Sequence, residues 1–247
     1  IKKNKFELTD KENNKVYPDF ITFVDFKDLG DTYNFAPAKN DYGKNAKILS
    51  SKIVKNGDTQ AALLVNAEVK GLDLNIQINL NRNSKLLVFK VDFLNTNRNH
   101  KLQIRFNLEK PITKTYSQCM GELVEREFNP DYDIRQNLPE QKGIEAKTNI
   151  APMQKYVNAQ GFEVVTKGLF EYEVEHNQLG ITLLRATGII SNPKNPARST
   201  PAGPPIEVKN AQMLRKIRVV FGIGFDDKNN WQKAVSQLYP YVITYKE

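Results

Sequence analysis

The chain has 247 residues and one cysteine, Cys119, so it is long enough to bury a core but forms no intrachain disulfide, as is typical of a reducing cytoplasm. Its net charge of +8 comes from Lys and Arg residues that are scattered rather than grouped, so we expect no nucleic-acid partner. No apolar run approaches the roughly 18 residues of a membrane-spanning helix, so we expect no membrane partner.

The first predicted element is a β-hairpin in FELTDKENNKVYPDF. Phe6 and Leu8 lie on its first strand, Val16 and Tyr17 lie on its second strand, and DKENNK forms the turn. The segment DLGDTYNFAPAKND (28–41) follows and is too irregular for a helix or a strand. Because loops of this kind often place polar groups on a rigid scaffold, we take it as a candidate functional segment.

Three segments with alternating apolar and polar residues come next. They are LDLNIQINLN (72–81), KLLVFKVDFLN (85–95) and HKLQIRFNLE (100–109), separated by short polar turns. A period of two is typical of antiparallel strands with one buried face. A strand about every dozen residues favours a β-sandwich.

The second half of the chain is less regular. Residues 129–150 are polar and contain two prolines and a glycine, which predicts a long loop or an insertion. Strands are predicted in FEVVTKG, FEYEVEH, LGITLLRATG and KIRVVFGIGF, and a short helical turn in NNWQKAVSQLYPY. The segment SNPKNPARSTPAGPP (191–205) has five prolines, which exclude a helix or a central strand. It is either an ordered loop beside an active site or a flexible surface loop.

Few residues suggest chemistry by their type and spacing alone. His100 and His176 lie far apart without a metal-binding spacing, and we interpret both as hydrogen-bonded strand histidines. Cys119 has no nucleophile signature, and we interpret it as a small buried residue. The sequence therefore supplies no metal site and no nucleophile of its own.

Carboxylates are the remaining candidates for hydrolytic chemistry. The alternating glutamates of FEYEVEH (170–176) share one strand face, and we interpret them, like those of GELVERE (121–127), as the solvated face of an edge strand. Asp25, Asp28 and Asp31 lie in or next to the 28–41 loop, where they either make Asx-type turns or contribute to a site. None of these groups forms a self-contained catalytic set.

Six segments share their motifs and their order with one known family. They are FELTDKENNKVYPDFITFVDFKDLGDTYNFAPAKND, FKVDFLNTNRNHKLQIRF, GELVEREF, PMQKYVNAQGFEVVTKGLFEYEV, ITLLRATGIISN, and ARSTPAGPP with NAQMLRK. Together they resemble the C-terminal β-region of glycoside hydrolase family 38, the α-mannosidases and mannosylglycerate hydrolases. The resemblance spans nearly the whole chain.

This resemblance implies an all-β fold, a large antiparallel β-supersandwich like that of galactose mutarotase, as a single domain over residues 1–247. It also implies that the chain is a fragment of a longer retaining α-mannosidase, without the N-terminal catalytic barrel and helical bundle. In the family, the catalytic carboxylates and the zinc ligands lie mainly on that barrel. We therefore expect no catalytic residue, metal ligand or cofactor in this chain, zinc in the full-length enzyme, and no turnover by the chain alone.

The resemblance also implies a role for the 28–41 loop. In family members the Gly-Asp-x-Tyr loop leans over the barrel and its tyrosine hydrogen-bonds a sugar hydroxyl, a position that Tyr33 matches beside Asp31. An arginine of the β-region approaches the same site, and either Arg185 or Arg198 could be that residue. The segment around Arg198 departs from the family pattern, since it reads Arg-Ser-Thr instead of Arg-Pro-Gly. Without the resemblance, Tyr33 could be a packed loop residue and Arg185 an ion-pair residue on a strand face.

Three functions are considered at this point, of which a basic surface that binds polyanions is the least favoured because the positive charges are scattered. In the first, the chain completes the sugar subsite of an α-mannosidase against the N-terminal catalytic domain of the same protein, with a mannose-containing glycan or mannosyl compound as substrate. In the alternative, it is a stand-alone carbohydrate-binding module with a shallow groove of exposed aromatics such as Tyr33, Phe35 and Tyr42. The Lys- and Asn-rich composition suggests a bacterial source, in which such enzymes are mostly cytoplasmic and act in mannose metabolism.

Overall fold

The protein folds as a sandwich of two antiparallel β-sheets. Its structure, a computed structural model, describes residues 1, 4–11, 14–139, 144–198, 200–226 and 228–239. No helix in these ranges has the length and the apolar character that a membrane crossing needs. The all-β sandwich predicted from the alternating segments is confirmed.

The described strands are short to medium in length and occur throughout the chain. In chain order they are β1 (Phe6–Asp10), β2 (Lys15–Lys27), β3 (Lys44–Asn45), β4 (Lys47–Asn56), β5 (Gln60–Val69), β6 (Leu72–Asn81), β7 (Leu87–Leu94), β8 (His100–Asn107), β9 (Lys114–Cys119), β10 (Glu122–Glu127), β11 (Ile150–Pro152), β12 (Tyr156–Ala159), β13 (Phe162–Lys167), β14 (Glu171–Glu175), β15 (Gln178–Ala186) and β16 (Lys216–Phe225). Two 3-10 helices, Ile134–Gln136 and Lys209–Gln212, and one α-helix, α1 (Trp231–Leu238), complete the described elements.

The strands divide into two sheets with long-range crossovers. The first sheet has the order β1-β2-β8-β15-β14-β11, with β3 paired to β2. The second sheet has the order β10-β9-β12-β13-β16-β7-β6-β5-β4. Strand β7 belongs to the second sheet, whereas β8 pairs with β2 and β15 in the first sheet. The chain therefore crosses from one layer to the other after β7.

An aromatic cluster holds the two sheets together. Phe106 of β8 and Phe162 of β13 come from different sheets, and their ring centroids lie 4.9 Å apart. Phe20 of β2 meets the edge of Phe162 at 5.2 Å. Such pairs add about 0.5–1.5 kcal/mol each to the free energy gained from burying their apolar area. The core therefore depends on large rings from both layers.

The structure confirms most of the elements predicted from the sequence. The opening hairpin pairs Leu8 with Tyr17, and the strand Leu72–Asn81 has the predicted bounds. Helix α1 forms in the predicted segment, where the Asn230 side chain accepts a hydrogen bond from the Lys233 amide and caps the first turn. The strands between Lys44 and Val69 were not predicted, and β4 among them is a mostly exposed edge strand without clear alternation.

The prediction that β8 has one buried face is wrong, because both of its faces are buried. On the face turned away from the core, Lys101 and Gln103 are fully buried and Arg105 is 5% exposed. Both Lys101 and Gln103 donate hydrogen bonds of 2.8 Å to the Glu173 carboxylate on β14. Irregular segments cover this polar layer, including Phe35, whose ring lies 3.6 Å from the Lys101 ammonium.

The prediction of a solvated edge strand for residues 170–176 is also wrong. Strand β14 lies between β15 and β11, so it is not an edge, whereas β10 is an edge strand as predicted. Burial raises the pKa of Glu173, but the charges of Lys101 and Arg105 and the hydrogen bonds outweigh burial and lower the pKa to about 2. Arg135, from the predicted long loop, pairs with Glu175 and helps to cover this face.

A second buried carboxylate, Glu163 of β13, lies in the second sheet close to helix α1. It is 3% exposed, and one of its oxygens accepts no hydrogen bond from any described residue. Burial and the negative charge of Asp226 raise its pKa from 4.5 to about 7, against opposing effects of a hydrogen bond with Tyr156 and of the charge of Lys233. This carboxyl group therefore takes up a proton more readily in the folded chain than in the unfolded chain.

We expect Glu163 to make the folded state less stable as the pH rises. The folded chain binds more protons than the unfolded chain between pH 4.5 and about pH 7, so the free energy of unfolding should fall across this window by roughly 2–4 kcal/mol. Glu163→Gln should remove this fall and be more stable than the unchanged chain above about pH 8. Urea denaturation across the window measures both quantities.

The matched control is Glu122→Gln on the exposed edge strand β10. This substitution removes the same charge from a solvated site and should leave the pH dependence of unfolding unchanged. A fall in stability that persists in Glu163→Gln would show that another group is responsible.

Candidate functional site

The 28–41 segment folds into a compact turn that we name the Asp31 loop (residues 28–37). An isolated bridge between Asp28 and Pro37 closes it. Asp28 Oδ1 accepts hydrogen bonds from the amides of Gly30 at 2.8 Å and Ala36 at 3.2 Å. A Cβ at Gly30 would lie 1.9 Å from the Asn34 carbonyl oxygen, so no other residue fits there. The loop therefore has one closely defined backbone conformation.

The Asp31 carboxylate is fully buried and accepts four hydrogen bonds. Oδ1 accepts from the amides of Tyr33 at 3.0 Å and Asn34 at 3.1 Å within its own loop. Oδ2 accepts from the Asn192 amide at 2.8 Å and from the Arg198 guanidinium. Burial raises the pKa of Asp31, but these backbone donors and the Arg198 side chain outweigh it and lower the pKa below 3.8. The carboxylate is thus held in its charged form.

Arg185, on β15, supports the Asp31 loop. Its Nε donates to Asp28 Oδ2 at 2.8 Å, and its Nη2 donates to the carbonyl oxygens of Asp31 and Asn34. It therefore pairs with an acidic residue, as one of the two interpretations of this arginine expects. Most of its hydrogen-bonding capacity is used in holding the loop.

Arg198 comes from the Pro-rich loop (residues 191–205) and is 3% exposed. Its Nη2 donates to Asp31 Oδ2, its Nη1 donates to Asn34 Oδ1, and its Nε donates to the Thr200 carbonyl oxygen at 2.7 Å. Its guanidinium carbon also lies 5.6 Å from the centroid of the Tyr33 ring. The described part of the Pro-rich loop contains no helix or strand, as predicted, and it is joined to the Asp31 loop by a buried ion pair.

Tyr33 is the side chain that this arrangement presents to solvent. It is 54% exposed, and its hydroxyl makes no hydrogen bond with any described residue. The ring lies beside Gly203, where a Cβ would come within 3.0 Å of the Tyr33 hydroxyl oxygen. Because the ring lies against Gly203 and near Arg198 but is half exposed, both interpretations of Tyr33, a packed loop residue and a sugar contact, stay predictions.

The structure brings the four predicted site residues, Asp31, Tyr33, Arg185 and Arg198, into one cluster. Asn192 also belongs to this cluster but was not predicted; its amide donates to Asp31, and its side chain donates to the Leu29 carbonyl oxygen at 3.0 Å. An asparagine before a proline is typical of turns, and no other signal marked it.

The Asx-type turns predicted for the aspartates are present, and Asp28 and Asp31 each accept an amide hydrogen bond from two residues further on. Asp25 is instead a buried residue of β2. The exposed aromatic groove is only partly formed, because Phe35 is buried whereas Tyr42 is 55% exposed. Whether any of these residues binds a sugar stays a prediction.

The remaining candidates have mainly structural positions. His100 is buried on β8 and hydrogen-bonds Asp25 and Asn95, as predicted for a strand histidine. His176 is exposed and lies in a turn rather than in a strand, so that part of the prediction is wrong. Cys119 is half-buried at the end of β9 rather than buried. Within the described ranges, no group of three or more His, Cys, Asp or Glu residues could hold a metal ion.

Comparisons with known proteins identify the family of this domain. The model for the glycosyl hydrolases family 38 C-terminal domain matches residues 2–189. A curated relative named "Putative mannosylglycerate hydrolase", from Halalkalibacterium halodurans, is 27% identical over 118 residues, which are 47% of this chain and 12% of that protein.

Solved structures show the same fold. An alpha-mannosidase from Enterococcus faecalis V583 has a TM-score of 0.75 and 17% identity, over 96% of this chain and 29% of that chain. A family 38 protein from Enterococcus faecalis has a TM-score of 0.78 and 18% identity, over 96% of this chain and 30% of that chain. This chain thus spans less than a third of these relatives. Because the family model matches well over half of its residues, the chain belongs to the C-terminal domain family of the family 38 glycosyl hydrolases.

Proposed function

We propose that this chain is the C-terminal β-domain of a longer, retaining α-mannosidase, in which Tyr33 completes a sugar subsite against an N-terminal catalytic domain. The observation that carries this proposal is the Tyr33 side chain, which is 54% exposed, lies beside Arg198, and has a hydroxyl without a hydrogen bond to any described residue. A hydroxyl held in this way can donate a hydrogen bond to a sugar hydroxyl, or accept one from it, without reordering the loop. Preorganised donors of this kind stabilise a transition state more than mobile donors do.

Asp31, Arg185 and Arg198 act in this proposal as positioning residues. Arg185 uses two of its nitrogens on the Asp31 loop, and Arg198 is buried against the Asp31 carboxylate. Their hydrogen bonds fix the backbone on both sides of Tyr33. Their contribution to sugar binding is therefore to hold the tyrosine in one place, which lowers the entropy lost when a sugar binds.

The bond-breaking chemistry is assigned to the proposed N-terminal domain. Retaining glycosidases need a nucleophilic carboxylate and an acid/base carboxylate on either side of the scissile bond. Zinc, which the resemblance implies for the full-length enzyme, supplies Lewis-acid polarisation of an oxygen ligand when it is bound. The described residues of this chain do not form a donor set for zinc, so no step proposed for this domain passes through the metal. We expect no turnover by the chain alone.

The substrate that we propose is a mannose-containing glycan or a smaller mannosyl compound. Support comes from the names of the relatives, one an alpha-mannosidase and the other a mannosylglycerate hydrolase. A cytoplasmic location in a bacterium remains part of this proposal. Its only structural support is the lone Cys119, which forms no disulfide.

A stand-alone carbohydrate-binding module is the second candidate function. It is favoured by two exposed tyrosines, Tyr33 at 54% and Tyr42 at 55%. Against it, Phe35 between them in sequence is buried against Lys101, so the two exposed tyrosines are not joined by a third exposed ring. Titration of the isolated chain with methyl α-mannoside separates the two candidates, since only a binding module should show millimolar or tighter affinity.

Removing the Tyr33 hydroxyl should slow the full-length enzyme. We expect Tyr33→Phe to lower kcat/KM for an aryl α-mannoside about 10- to 100-fold, which corresponds to roughly 1.4–2.8 kcal/mol of transition-state stabilisation. Steady-state kinetics measure this change. Tyr42→Phe, which removes a hydroxyl from a similarly exposed ring, should leave kcat/KM unchanged. Equal kcat/KM values for Tyr33→Phe and the unchanged enzyme would show that Tyr33 does not contact the sugar. Turnover by the isolated chain would contradict the assignment of bond breaking to the N-terminal domain.

Breaking the Asp31–Arg198 ion pair should destabilise the domain. Arg198→Met leaves the buried Asp31 carboxylate without its cation, which typically costs about 3–5 kcal/mol. The double variant with Asp31→Asn should cost clearly less than the sum of the two single variants, because it leaves no unpaired charge. Urea denaturation of the four proteins gives the coupling energy. If the loss in the free energy of unfolding in the double variant equals the sum of the losses in the two single variants, the ion pair does not hold the two loops together.

A further inference from the structure

Strand β4 (Lys47–Asn56) is a long, free edge of the second sheet. It pairs with β5 on one side, and no described strand pairs with its other side. All of its residues except Ile48 are exposed, with Leu49 at 62% and Ile53 at 71%. A free edge presents backbone N–H and C=O groups that can pair with a further strand. The edge can therefore accept another extended segment.

The charges on this edge select the kind of segment. Residues 44–56 contain four lysines, Lys44, Lys47, Lys52 and Lys55, and no Asp or Glu. None of the four makes an ion pair with any residue that the structure describes. Lysines on an edge strand discourage pairing with an identical edge, because like charges meet, but they attract an acidic strand. The edge thus disfavours a second copy of itself and favours a segment of opposite charge.

A mostly apolar groove of about 370 Å³ lies beside the edge, between the two sheets. Phe6 and Leu8 of β1 line one side of it, and Ile53 of β4 lines the other together with residues of β5, β6 and β7. Ile53 lies opposite Leu63, which packs against the core, so Ile53 points to the core-facing side of β4. A large apolar side chain on an added strand would lie next to Ile53, at the open side of this groove.

We propose that β4 is a docking edge for a partner protein, which adds an extended acidic segment to the second sheet as a further strand. Backbone hydrogen bonds with β4 supply the affinity, as in other cases of strand addition. Lys52 and Ile53 are consecutive and point to opposite faces, so the segment alternates acidic residues with apolar ones. Its carboxylates pair with the lysines, and an apolar side chain enters the groove beside Ile53. Neither Tyr33 nor the function proposed above takes part in this docking.

Hydrogen exchange of the backbone amides, followed by NMR, tests the edge. The probe is a soluble strand-length peptide in which Glu alternates with Val, Ile and Phe. One control peptide has the same residues in an order without alternation, and the other has Lys in place of each Glu. We expect only the alternating acidic peptide to slow exchange of the β4 amides that do not bond to β5. Amides of β10, the acidic edge at the other end of the same sheet, should be unaffected.

Variants of the chain separate a docking edge from general charge attraction. Ile53→Thr keeps a β-branched strand residue but removes apolar contact at the groove, and Lys52→Glu reverses one charge of the edge. Each should weaken binding of the acidic peptide about 3- to 10-fold. Lys90→Glu makes the same charge change at an exposed position of the interior strand β7 and should leave binding unchanged.

Four results would overturn the proposal. Equal binding of the peptide without alternation, or equal weakening by Lys90→Glu, would show that charge alone attracts the peptide. Self-association of the chain that Ile53→Thr abolishes would assign the edge to a second copy. Binding to anionic phosphatidylglycerol vesicles but not to the peptide would assign it to a membrane surface. If the longer protein fails to bind a peptide that the isolated chain binds, the edge is covered by the same polypeptide and not by a partner.

Discussion

The candidate site depends on one buried carboxylate, that of Asp31. Its two oxygens accept from four donors, two in its own loop and two in the Pro-rich loop, so a single side chain determines the shape of one segment and its attachment to the other. A buried charge is costly unless each of its hydrogen-bonding positions is satisfied. The need to satisfy this carboxylate therefore explains why Arg198, Asn192 and the Asn34 amide all converge on one point.

A second set of charges, two of them buried and one half-buried, lies on the face of the first sheet that is turned away from the core. Lys101, Arg105 and Glu173 form a polar layer between β8 and β14 on one side and the covering segments on the other. Phe35 of the Asp31 loop packs on the Lys101 ammonium, so the loop is attached to the sheet there as well as through Arg185. The position of Tyr33 is thus set from both ends of its loop by contacts with a rigid sheet.

The sequence predicted the regular strands well, because a strand with one buried face has apolar and polar residues in alternation. The bounds of β6 follow directly from that pattern, and the two strands of the opening hairpin were also predicted. The same reasoning failed for β8, where Lys101 and Gln103 look solvated in the sequence but are buried by segments distant along the chain. Nothing local distinguishes a solvated glutamate from Glu163 or Glu173, because the groups that bury them lie on other strands.

The residues of the candidate site could be predicted from the sequence, but their hydrogen-bond geometry could not. The resemblance indicated Asp31, Tyr33, Arg185 and Arg198, and the structure shows that they meet. It could not indicate that Arg185 donates to Asp28 and to backbone carbonyls of the Asp31 loop. Nor could it indicate that Arg198 donates to the side chains of Asp31 and Asn34, since hydrogen-bond partners are decided by the tertiary fold.

The long sequence separation across the Asp31–Arg198 pair has a consequence for the order of folding. The two residues are 167 positions apart, and Asp28 and Arg185 are 157 apart. A nascent chain emerges from its N-terminus, so the Asp31 loop leaves the ribosome long before the arginines that hold it. Contacts of such high sequence separation form slowly, because a long loop has to close first. The Asp31 loop should therefore be among the last parts of the domain to reach its native conformation during synthesis.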